Sequence, residues 1–258
     1  VRRVKTHRAG VKAQWASSIW PICVTPTEIS CARCTAHPNR SASPAPRLVG
    51  RTERNSVQSA DKNLFDEAYY ERYYFNKKTS VADPEHVDRL GAFVCSYLQF
   101  IRVPVRRVLD VGCGIGLWRD VVKRHYPHAE FHGVEYSEYL CSRFGWERGS
   151  VVDYKATTPF DLVICQGVLP YLSAADAKRA MHNLGRLSTG ALYVEAVARE
   201  DWEQDIVDET LTDPRLFKHR AQLYRQGLAD GFIELGGGVW LSRKADLPVF
   251  ALERASER

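Results

Sequence analysis

The apolar run VLDV, residues 108–111, breaks into GCGIG before a second mixed segment begins at Leu117. Glycines at 112, 114 and 116 prolong neither a strand nor a helix at low cost. They do let the chain turn through left-handed backbone and come close to a ligand. A short apolar strand, a glycine turn and a helix form the opening of a βαβ unit, which requires a parallel sheet. In such sheets ligands bind outside the carboxyl ends of the strands. The spacing also restricts the ligand. A dinucleotide loop needs Gly or Ala at position 117 for close helix–strand packing, and Leu117 stands there. Asp110 would repel a pyrophosphate and suits a cation. The loop therefore fits a nucleoside ligand that carries a positive group and no phosphate.

The surrounding pattern agrees. Apolar strands are predicted at Arg107–Val111, Glu130–Val134, Asp161–Cys165 and Ala191–Ala196, with a weaker one near Ser150–Asp153. Helical periodicity fills 117–125, 137–144 and 174–187, the last opened by Ser173 and Asp176 as a capping-box-like start. Upstream, Phe65, Tyr69 and Tyr73 share one helical face, and Asp83 with Pro84 marks the start of a helix whose stripe is Val87, Leu90, Val94 and Leu98. Downstream, a helix over 215–230 leads into FIELGGGVWLSRKADLPVFALER, read as an antiparallel hairpin joined by an Asp/Pro turn. The fold class that follows is α/β, a doubly wound, mostly parallel sheet with helices on both faces.

Other strand tips carry polar groups. Glu135 lies 19 residues beyond Gly116, where an acid can accept ribose hydroxyls, and Tyr136 follows it. Asp153, in GSVVDY, can accept from an exocyclic amine. FDLVICQGVLPYL is a buried strand opening into a loop at Gln166.

In order and spacing, VLDVGCGIG, GVEYS, GSVVDY and FDLVICQGVLPYL resemble the class I S-adenosylmethionine-dependent methyltransferases. The resemblance implies their Rossmann-like seven-stranded sheet with an antiparallel last strand, over a domain of residues 61–258. It also implies S-adenosylmethionine as cofactor. Asp110, Gly112, Cys113, Gly114 and Gly116 would hold its methionine end, Glu135 the ribose, Tyr136 the purine face, Asp153 and Tyr154 the adenine, and Gln166 the region beneath the sulfonium. The implied activity is methyl transfer, without metal, to an oxygen or nitrogen of a small molecule. A hydroxyl or ammonium acceptor must lose a proton, and the candidate bases are Glu195 and His219. A macromolecular methyltransferase and a cofactor-fold protein without methyl transfer are the alternatives. The Asn/Asp-Pro-Pro-aromatic tetrad of nucleobase amino-methylating enzymes is missing, since CQGV stands in its place. The eight acids between 195 and 213 form either a solvated face or a lid over a cationic or polar substrate.

Charge separates the chain into two parts. Residues 1–60 hold ten bases and two acids, 10 − 2 = +8. The remainder holds 36 − 10 = 26 bases and 31 − 2 = 29 acids, a net of −3. The slightly acidic second part disfavours nucleic acid as a partner. The first part, rich in Ser, Pro, Ala and Arg, lacks apolar periodicity and is expected to be a disordered extension. Its Cys23, Cys31, Cys34 and His37 lack a paired second ligand set, so no metal is expected there. No apolar h-region follows Arg2 and Arg3, and no run approaches the ~20 residues of a membrane span. With seven cysteines, an odd number, the expectation is a reduced, cytoplasmic protein.

Overall fold

The computed structural model describes residues 64–76, 83–209 and 212–255. The expectations for residues 1–60, including Cys23, Cys31, Cys34 and His37, lie outside them.

A seven-stranded sheet organises the chain. Its strands are β1 (Arg107–Val111), β2 (Glu130–Glu135), β3 (Glu147–Arg148), β4 (Phe160–Gln166), β5 (Ser188–Glu195), β6 (Phe232–Gly236) and β7 (Val239–Ser242). The spatial order is β3-β2-β1-β4-β5-β7-β6. Strands β1 to β5 pair in parallel, and β7 is antiparallel to both β5 and β6. This is the Rossmann-like, doubly wound sheet with one antiparallel strand inserted.

Helices cover both faces because the strands are apolar on both sides. Helices α2 (Pro84–Phe100) and α3 (Leu117–His125) pack Val94, Leu98, Trp118 and Val121 against Val108, Ile164, Tyr193 and Leu241. On the other face α5 (Ala174–Leu187) and α7 (Ala221–Ala229) set Met181, Leu184 and Leu228 against Leu109, Val163 and Leu192. Each fully buried side chain of this size contributes about 1.5–3 kcal/mol. Local signals start the helices as expected. The Asp83 carboxylate accepts from Glu85 N and His86 N ahead of Pro84, and Ser173 Oγ accepts from Asp176 N at 3.1 Å. Ser137 caps α4 (Glu138–Phe144). A short helix, α6 (Arg199–Glu203), follows β5.

Four expectations are corrected. Residues near Ser150–Asp153 form a turn, not a strand; the edge strand is β3, two exposed charged residues that pair with Val134 and Glu135. The hairpin turn is Gly236–Gly238, all three at positive φ, and the Asp246/Pro248 segment comes after β7. The helix expected over 215–230 begins at Ala221, because Phe217 N donates to Pro170 O and Asp213 binds Arg215, which holds the preceding residues in a turn and irregular chain. The upstream aromatic helix is α1 (Glu67–Tyr70), which widens into a π-turn over Glu71–Phe75. Among the described residues, no helix is long and apolar enough to cross a membrane.

Candidate active site

Side chains alternate along a strand, and residues paired across parallel strands point the same way. Asp110 pairs with Gly133 and Ile164, and Gln166 pairs with Glu195. Counting two residues on from Gly133 and Ile164 reaches Glu135 and Gln166. Asp110, Glu135, Gln166 and Glu195 therefore share one face of the sheet, at its carboxyl edge, on the side of α3. Sequence alone shows four polar tips; the register shows that they converge.

The glycine loop lies across this edge. Gly112, Gly114 and Gly116 have φ of 74°, 53° and 83°, a region that side chains other than glycine enter at a cost of roughly 1–2 kcal/mol. A Cβ on Gly112 would strike Val168, and one on Gly116 would strike Trp146. A Cβ on Gly114 would meet nothing within 4 Å, so the middle of the loop borders open space. Trp146 Nε1 donates to Gly114 O at 2.9 Å and props the loop from the side. Cys113 is buried, its thiol pushed up by burial and by the nearby Asp110 and Glu135 carboxyls.

Glu135, 5% exposed, is the anchor of that loop. Its Oε2 accepts from Gly114 N at 2.9 Å, and its Oε1 accepts from Tyr136 N and Ser137 N at 2.8 and 2.9 Å. Burial pushes its pKa up, against the pull of these three amide bonds. A carboxylate offers about four acceptor positions, so one remains for a ligand hydroxyl. Asp110, 2% exposed, has no comparable support. Its Oδ2 is buried without a hydrogen-bond partner, and burial together with the Glu135 charge raises its pKa well above the usual range.

At the other end of the edge runs a chain of hydrogen bonds. Trp118 Nε1 donates to Gln166 Oε1 at 2.7 Å, and Gln166 Nε2 donates to Glu195 Oε2 at 3.2 Å. Tyr193 OH donates to the same oxygen at 2.9 Å. The Glu195 Oε1 is buried and unpartnered. Burial pushes the Glu195 carboxyl up to about 8, with the Tyr193 and Gln166 bonds opposing. Trp118 and Tyr193 went unrecognised as site residues in the sequence, where each reads as one more apolar core position. The available signal was strand parity: Tyr193 precedes Glu195 by two.

The opening is roofed by aromatic residues. Tyr69, Tyr70 and Tyr73 pack with Ile115 of the glycine loop and with Leu140 and Trp146. Ser137 Oγ donates to Phe65 O at 2.6 Å. A latch ties this roof to the far rim: Tyr69 OH and Tyr171 OH lie 2.9 Å apart, and Tyr171 OH donates to Asp213 Oδ2 at 3.1 Å. Arg215 grips both oxygens of Asp213 and also donates to Leu64 O. Burial opposes the charge on Asp213, yet the Arg215 side chain and amide, with Tyr171, hold its pKa below the usual carboxylate value. Of the eight acids between 195 and 213, Asp213 and Glu195 are thus structural parts of the site rather than solvated charges.

Three expected residues stand elsewhere. Asp153 is exposed and faces the flank of α5, and the Tyr154 hydroxyl donates to Glu147. Ser150 follows β3 and Gly149, whose N donates to Glu135 O, and its Oγ accepts from Val152 N at 3.3 Å. His219 Nε2 is bonded to Leu172 O at 2.9 Å and its ring stacks on Phe217, which makes it a tether for the loop after β4. Tyr136 lies beside the roof, its ring 6.4 Å from Phe65. Among the described residues, no three His, Cys, Asp or Glu side chains converge to hold a metal ion.

Residues 109–189 match the family described as a methyltransferase domain. Over this stretch, just under a third of the chain, the protein is similar to a methyltransferase domain. The chain is 28% identical over 117 residues to trans-aconitate 2-methyltransferase of Pseudomonas paraeruginosa, a match covering 37% of this chain and 42% of that protein. It is 29% identical over 120 residues to malonyl-[acyl-carrier protein] O-methyltransferase of Legionella pneumophila, over 38% of this chain and 42% of the other. The chain thus matches less than half the length of these curated relatives. Among solved structures, an amino pentose methyltransferase of Micromonospora echinaspora is 16% identical, with a TM-score of 0.47 over 70% of this chain and 98% of that one.

Proposed function

We propose that the protein transfers a methyl group from S-adenosylmethionine to an oxygen or nitrogen of a small-molecule acceptor. The observation that carries this reading is the Asp110 carboxyl, buried with an orphaned oxygen beside a glycine loop whose middle residue borders open space. Such a group is costly unless a cation or donor meets it, and Glu135 close by makes the need greater. The residues present therefore fit the cofactor. Asp110 and the amides of Gly112–Gly116 would hold the amino-acid end, and Cys113 lines the loop beneath it. The open acceptor position of Glu135 would hold one ribose hydroxyl. Ser150 and Tyr136 would flank the base, in preference to Asp153 and Tyr154.

When bound, the cofactor supplies an activated methyl group on a positively charged sulfur. The protein's own part is alignment, exclusion of water and proton removal. Tyr69, Tyr70 and Tyr73 exclude water from above. Glu195 would take the proton of the acceptor: a carboxyl near 8 is matched to neutral pH, and its free Oε1 has no other partner. Gln166, held by Trp118, fixes the Glu195 carboxylate. His219, with Nε2 engaged at Leu172 O, would shape the acceptor loop rather than move a proton. The methyltransferase names of the curated relatives support the same chemistry. The test is incubation with labelled S-adenosylmethionine and panels of small carboxylic, hydroxylated and amino acceptors, with S-adenosylhomocysteine as readout. Absence of cofactor binding by calorimetry would overturn the reading.

A further inference from the structure

A cleft of about 420 Å³ opens on the flank of α5, away from the glycine loop. Its walls are Val152, Asp153 and Lys155 on one side and Lys178, Arg179, His182, Asn183 and Arg186 on the other. Lys178, His182 and Arg186 recur every four residues and form a single stripe on the helix. Lys155 faces them from the opposite wall. The wall is fixed: Asn183 Nδ2 donates to Val151 O and Tyr154 O at 3.0 and 2.9 Å, which clamps the 151–154 turn onto the helix.

The charge here runs against that of the rest of the domain. Residues 61–258 carry a net −3, yet the cleft holds Lys155, Lys178, Arg179 and Arg186 against Asp153 alone. Arg179 is paired with Asp176 at 2.8 Å. Among the described residues, no acid pairs with Lys155, Lys178 or Arg186. Lys178 and Arg186 stand about two turns apart on one face of α5 with Lys155 across the cleft, so an anion lying between them meets cations that no acid neutralises. Convergence from two walls suits a compact, multiply charged anion. Lys and Arg supply several charge-assisted donors, the usual means of holding phosphate oxygens.

We propose that this cleft binds a ligand of the diphosphate class, at a site separate from the methyl-transfer centre. Binding joins Lys155 to Lys178 and Arg186 through shared oxygens, and no covalent step is involved.

The test uses the full chain with two probes, inorganic pyrophosphate and ADP, by calorimetry at low and moderate salt. Saturable binding is expected, weakening with salt. The Lys178→Ala/Arg186→Ala variant should bind about tenfold or more weakly, since each lost charge-assisted bond is worth about a decade in affinity. Lys155→Glu, on the opposite wall, should lose binding as well. Both variants should melt, ligand-free, no lower than wild type and titrate S-adenosylmethionine as wild type does. This keeps the outcome independent of the methyl-transfer reading. Tighter ADP than pyrophosphate supports the site and points to a nucleotide-borne diphosphate; equal affinity supports it and points to the free group. No saturable binding, or binding undiminished in both variants, overturns the proposal and assigns any residual affinity to the basic residues 1–60. Polyglutamate binding that is lost in these variants while pyrophosphate fails to bind overturns it in favour of an acidic protein.

Discussion

Glu135→Gln is the sharpest probe of how the site is built, because glutamine is the substitution that looks mildest. The carboxylate now accepts three backbone amides, two on Oε1 and one on Oε2. A glutamine has one acceptor oxygen. If it takes the place of Oε1, its NH2 faces the Gly114 N–H, donor against donor. The lost bond to a charged acceptor is worth about 1.5–3 kcal/mol. Removing the charge returns part of this, since burial opposes ionised Glu135. The net loss should be about 1–2 kcal/mol, or a fall in melting temperature of about 2–8 °C for a domain of this size. The damage falls on Gly114, the loop residue that borders the ligand space. Cofactor affinity should therefore drop about tenfold or more, a larger change than global stability suggests. Thermal melting without ligand and calorimetry with S-adenosylmethionine measure the two effects. Wild-type values in both would refute the bond between Glu135 and the glycine loop as the element that shapes the site.

Further expectations concern the same edge. Glu195, raised to about 8 in the fold against an ordinary 4.5, binds its proton more readily when folded. Stability should thus fall as pH rises from about 4.5 to about 8, and Glu195→Gln should flatten that slope in melting curves taken across the range. An identical slope in the variant would remove Glu195 as its source. Gly114→Ala should cost about 1–2 kcal/mol of backbone strain at φ 53° with no clash. Its methyl group enters the ligand space, so calorimetry should show a disproportionate loss of cofactor affinity. Asp213→Asn breaks a pair in which the carboxylate side chain is 2% and the guanidinium 37% exposed. A loss of about 1–2 kcal/mol is expected after allowing for solvent on the arginine. Hydrogen exchange should quicken in residues 64–76 while β1, β4 and β5 keep their protection; uniform quickening would contradict the latch.

The parts of the fold set by local periodicity were legible in the sequence. Strand β1 and helices α3 and α5 begin and end where the apolar pattern says, because each buries a regular face. Strand β3 was not legible. Its Glu147 and Arg148 are exposed and owe their extended form to β2 alone, a long-range cause with no local trace. The same holds for residues 215–220, which were read as helix but are held out of it by Asp213, Arg215 and Pro170. In the site, Asp110, Glu135, Gln166 and Glu195 were visible as polar groups that interrupt apolar strands. What escaped was mutual geometry: the amides that already occupy Glu135, the Trp118–Gln166–Glu195 chain, and the turn over 151–153 that carries Asp153 to the flank of α5.

The insertion of β7 between β5 and β6 has a consequence for synthesis. Strand β5, whose Ala191–Val194 are buried, is covered on one side by β4 but on the other only by β7. Until residue 242 has left the ribosome, β5 presents unpaired amides and carbonyls from Ala191 to Val194 along that edge. Such an edge invites pairing with any extended chain nearby. The three-glycine turn at 236–238 shortens that interval, because it starts β7 only two residues after β6 ends. A chain cut short before Val239 would retain every residue of the glycine loop and its carboxyl edge, yet lack the strand that keeps it from self-association.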